Sequence, residues 1–84
     1  MDRKFANRIK KLVPEGGGFD LSFNQSNSGI ANKFASTLQL TIFEAGKEGK
    51  GPIITKKVSI PAIADSIAAA NKEALESTLR LLGV

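Results

Sequence analysis

The longest periodic run in the chain extends from Ile60 to Leu82. At about 100° per residue, Ile63, Ile67, Ala70, Ala74, Leu75, Thr78, Leu79, Leu81 and Leu82 fall in one arc. Asp65, Ser66, Ala69, Lys72, Glu73, Glu76, Ser77 and Arg80 fill the other. The spacing predicts a helix, with Pro61 where a first turn tolerates proline and Gly83 where helices commonly end. Asn71 falls inside the apolar arc and is expected to be a hydrogen-bonded amide or a subunit contact. A second helical pattern opens the chain. Phe5, Ile9, Leu12 and Val13 make a narrow stripe over residues 3–13, with Asp2 as its N-cap and Pro14 as its stop.

Between the helices the period changes to two. Phe19, Leu21 and Phe23 alternate with Asp20 and Ser22, which predicts a half-buried strand. The polar cluster Asn24 to Gly29 opens a loop running to about Lys33. From Phe34 to Glu44, Ser36, Leu38, Leu40 and Ile42 share one side, and Thr37, Gln39, Thr41 and Phe43 the other. A third strand, Ile53 to Ile60, turns Ile54, Val58 and Ile60 inward and Thr55, Lys57 and Ser59 outward; Lys56 breaks the alternation and marks a bulge or an edge. The expected fold is therefore α+β in the order α-β-β-β-α. A three-stranded antiparallel sheet carries a short basic N-terminal helix and a long C-terminal helix on one face.

The chain of 84 residues fits a single domain, 1–84, whose core is small enough that self-association would add useful buried area. It has neither Cys nor His. Disulfides, thiolate or imidazole metal sites and Ser-His-Asp or Cys-His nucleophiles are thereby excluded. Asp65, Glu73 and Glu76 have Lys72 and Arg80 as helical neighbours, the pattern of surface pairing rather than of a two-carboxylate site. The expectation is a protein that is not an enzyme, with no metal, no cofactor and no small-molecule substrate.

Two glycine clusters, Gly16-Gly17-Gly18 and Gly46 to Gly51, lack the strand-glycine-helix order and the Ser or Thr of a phosphate loop. They read as a chain reversal and a hairpin tip. No apolar run approaches the ~20 residues of a membrane span, and no apolar segment follows the first charges, which together favour the cytoplasm and no membrane partner.

Charge placement carries the functional expectation. Arg3, Lys4, Arg8, Lys10 and Lys11 face only Asp2 within residues 1–13, so this segment accounts for the whole surplus of +4. The open side of the sheet would present Asp20, Ser22, Thr37, Gln39, Thr41, Phe43, Thr55, Lys57 and Ser59. Hydroxyls, an amide, a cation and an aromatic suit a surface that tracks a nucleic-acid backbone, with Phe43 as a stacking platform. The candidate nucleic-acid-binding residues are accordingly Arg3, Lys4, Arg8, Lys10, Lys11, Phe43 and Lys57. They point to a small accessory protein that binds single-stranded DNA or RNA without sequence preference. The competing expectation is a protein–protein interaction or homo-oligomerisation module, such as a phage or plasmid accessory factor, that uses the same open face and binds no nucleic acid.

Three segments carry a family resemblance: Val13-Pro14-Glu15-Gly16-Gly17-Gly18-Phe19, the antiparallel meander, and Lys72-Glu73-Ala74-Leu75-Glu76-Ser77-Thr78-Leu79-Arg80-Leu81-Leu82-Gly83. In outline they resemble the core of the single-strand annealing proteins of homologous recombination, which include many phage recombination proteins. The resemblance implies a helix packed across a curved sheet and a role on single-stranded DNA. The last helix departs from that family in carrying Glu76 and a single Arg80. The element order is also that of double-stranded RNA-binding domains, although Ile60-Pro61-Ala62-Ile63 lacks their lysine-rich start to the second helix.

Overall fold

The computed structural model describes residues 3–84, so the proposed N-cap Asp2 lies outside the described residues. The order is α1 (Arg3–Lys10), β1 (Gly18–Asn27), β2 (Phe34–Glu44), β3 (Ile53–Ala64) and α2 (Ile67–Leu82). The strands form one antiparallel sheet in the order β1-β2-β3. The fold is α+β, α-β-β-β-α.

The period-two pattern of β2 decides what is inside. Ser36, Leu38, Leu40 and Ile42 are all fully buried, and they point at the helical layer. Against them α2 presents Ala70, Ala74 and Thr78, each at 0% exposure. Their spacing of four makes one seam, and their small size lets the helix backbone lie close to β2 and β3. The Thr78 hydroxyl donates to the Ala74 carbonyl at 2.7 Å, so no polar group is stranded at this contact. Buried Ser36 donates its hydroxyl to Asn71 Oδ1, which ties α2 to β2 and explains an amide within an apolar arc.

Phe5 and Ile9 of α1 complete the core, one helical turn apart and both buried, in the cluster that also holds Leu38, Leu40, Ile42, Ala62 and Ala74. Phe19, Leu21 and Phe23 of β1 pack against it half-buried. Both helices therefore lie on one face of the sheet.

Four boundaries differ from the sequence expectation. The long helix begins at Ile67, because β3 continues through Ile60, Pro61, Ala62 and Ile63 to Ala64. Ala62 and Ala64 extend the inward alternation of Val58 and Ile60, and Pro61 is tolerated because β3 is an edge strand. Ile63 faces away from the helices at 47% exposure, so its place in the helical arc is coincidental. Ser66 caps α2 by accepting the Ala69 N–H at 3.0 Å, and Gly83 ends it at φ +72° with its N–H donated to Leu79 and Arg80 carbonyls. Leu81 falls off the buried side at 65% exposure.

β1 runs on through Asn24–Asn27, which pair with Thr37–Phe34 although every one of the four is exposed. Backbone pairing holds this end, and a polar sequence gives no apolar alternation to announce it. α1 ends at Lys10; Lys11, Leu12 and Val13 follow in a turn tightened by bonds to the carbonyls three residues back. In β3 a register shift lies between the pairs Ile42–Lys56 and Phe43–Ile54, leaving Thr55 unpaired with its hydroxyl donated to the Ile42 carbonyl at 3.2 Å. This bulge reverses the facing of what precedes it. Ile54 therefore sits beside Phe43 on the open face, 59% exposed, rather than inward.

The core makes two stability expectations. Leu40→Ala should cost about 2–5 kcal/mol in urea unfolding. Ser66→Ala, which removes only the cap, should cost about 1 kcal/mol.

Candidate nucleic-acid interface

The spacing that buries Phe5 and Ile9 fixes where the cations of the first helix go. With the apolar pair docked, Arg3, Lys4, Arg8 and Lys10 are exposed, and Lys11 is exposed in the turn that follows. Arg8 and Lys10 fall in the last helical turn, where the helix dipole favours positive charge. Arg3, Arg8, Lys10 and Lys11 have no ion-pair partner among the described residues. An ion pair does occur elsewhere, between Lys33 and Asp65, and fastens the β1–β2 loop to the start of α2.

Arg8 also lines a shallow depression of about 250 Å³ between the helices, with Glu76, Leu79, Arg80 and Val84. Arg80 donates a guanidinium hydrogen to Ser77 Oγ at 3.1 Å, and neither arginine is ion-paired with Glu76. Two arginines and one glutamate thus line one groove. The sequence pattern placed Arg80 only on the outer arc of its helix, and nothing along the chain signals its approach to Arg8.

Phe43 and Lys57 lie elsewhere. Both project from the face of the sheet turned away from the helices, so the seven candidate residues do not form one surface. The N-terminal cations belong to the helical layer, and the sheet lies between them and the other two. Lys57 is exposed in the row Asp20–Thr41–Lys57. Phe43 is half-buried because its ring lies over Gly18, where a Cβ would come within 2.9 Å of Cζ. The neighbouring Gly17 is needed for a backbone approach: a Cβ there would sit 2.2 Å from the Phe43 carbonyl oxygen. The glycine reversal and Phe43 are thus one packing unit.

Among the described residues no group of Asp or Glu is placed to hold a metal ion, and no helix is long and apolar enough to cross a membrane. Compared with family models, curated proteins and solved structures, the chain matches none.

Phe43→Ala removes the ring that covers Gly18 and should lower the unfolding free energy by about 1–2 kcal/mol, whereas Lys57→Gln should stay within about 0.5 kcal/mol of the parent. Urea unfolding of the two variants checks the difference.

Proposed function

We propose that the protein is a small, sequence-nonspecific nucleic-acid-binding accessory protein of the cytoplasm that holds single-stranded DNA or RNA through the cations of α1. The observation that carries this reading is the exposure of Arg3, Lys4, Arg8, Lys10 and Lys11 in a segment whose described residues include no acid. A helix docked through two apolar side chains holds its cations in a fixed arrangement, which suits phosphate contacts better than a mobile tail would. Arg80 lines the same groove as Arg8 and can extend that surface.

The open face is a poorer place for phosphate. Lys57 is its one cation and Asp20 cancels it, so Phe43 and Lys57 are secondary in this reading. Base-reading groups are not part of the proposal: phosphate contacts position a strand without reporting its sequence.

Fluorescence anisotropy with labelled single- and double-stranded DNA and RNA at two salt concentrations tests the reading. If three to five cations engage a single strand, log K should fall against log salt with a slope between about −2 and −3.5. Charge reversal at both Arg8 and Lys11 should weaken binding more than about tenfold at low salt. Absence of binding at high micromolar protein would overturn the proposal.

A further inference from the structure

The open face carries little charge, and its two charges are placed in a telling way. The strand register puts Gly18, Asp20, Ser22, Asn24 and Ser26 of β1 on it, beside Phe43, Thr41, Gln39, Thr37 and Ala35 of β2, and Ile54, Lys57, Ser59, Pro61 and Ile63 of β3. Asp20 and Lys57 are its only charged residues. They occupy the same row, on opposite edges, with Thr41 between them. Two strand spacings of ~4.8 Å keep them roughly 10 Å apart, and no ion pair joins them.

We propose that this face packs against the same face of a second copy of the chain, about a two-fold axis parallel to β2. Such an axis exchanges β1 with β3 and leaves each row facing itself. Asp20 of each copy then meets Lys57 of the other, so the dimer holds two such pairs and neither charge is left alone. Ser22 meets Ser59, and Gln39 and Thr41 lie near the axis. Ile54, which the bulge turned outward, meets the Phe43 ring lying over Gly18 of the facing copy.

The other simple two-fold, across the strands, does worse. Centred on Gln39 it sets Asp20 against Asn24 and Lys57 against Pro61; centred on Thr41 it sets each charge against its own kind. Charge complementarity therefore selects both the occupant and the axis. It also disfavours a polyanion here, because the face has no net charge. The proposal does not depend on the nucleic-acid reading of α1, which lies on the opposite side of the sheet.

The face is small. Three strands and five outward rows, spanning residues 35–43 of β2, present a plane of roughly 400 Å², about half of the ~800 Å² per partner in a standard interface. A dimer populated only at high protein concentration is expected.

Sedimentation equilibrium of the full chain up to about 1 mM tests it, with circular dichroism to establish that each variant is folded. Asp20→Lys and Lys57→Asp should each weaken the dimer by about tenfold or more, since each replaces two attractions with two repulsions. The two substitutions together should return it to within about threefold of the parent, because the swapped charges meet again across the axis. A strict monomer at the highest concentration, single reversals without effect, or a double variant as weak as the single ones would each overturn the proposal.

Discussion

The close approach of α2 to the central strand is the contact on which the rest of this small molecule depends. Ala70, Ala74 and Thr78 have no exposed surface, and neither do Leu38 and Leu40; Ile42 is 1% exposed. A helix can lie that near a sheet only where its facing side chains are small, and aliphatic residues on the strand then fill the space between. Phe5 and Ile9 close the remaining side of the same cluster. Because so few residues form the core, each carries a large share of it. The Ser36–Asn71 and Thr78–Ala74 hydrogen bonds allow polar groups into this layer without leaving one unpaired.

From that seating follows a molecule with two unlike sides. Placing both helices on one face gathers the exposed cations of the first helix on the helical side, with Arg80 lining the same groove as Arg8. It also leaves the far side of the sheet uncovered by the described chain, and there a single carboxylate and a single amine share a row. The first surface suits a polyanion and the second suits its own copy. The two proposals can therefore hold together, since neither partner needs the side used by the other.

Much of the fold was legible in the sequence, for physical reasons that also explain what was not. The inward residues of β2 read directly, because a half-buried strand must alternate. Phe5 and Ile9 read because a short helix docks through residues one turn apart. The start of α2 did not, since Ile63 satisfies the helical period while belonging to a strand, and Pro61 is as acceptable on a sheet edge as in a first helical turn. Ser66, a good N-cap residue, was the better marker. Lys56 signalled an irregularity, but only the pairing shows that the unpaired residue is Thr55 and that Ile54 consequently faces outward. The candidate site was legible as a list of exposed cations. Its division between two sides of the sheet, and the sharing of one groove by Arg8 and Arg80, are properties of tertiary packing that no spacing along the chain encodes.

The seating of α2 can be tested at its centre. Replacing Ala74 with Leu adds bulk where helix and strand touch and where nothing is free to move aside, so urea unfolding should show a loss of about 1–3 kcal/mol with an unchanged dependence on denaturant. An unfolding midpoint equal to or above that of the parent would mean that the space at Ala74 is not closed by β2, and would contradict the contact from which the two-sided architecture follows.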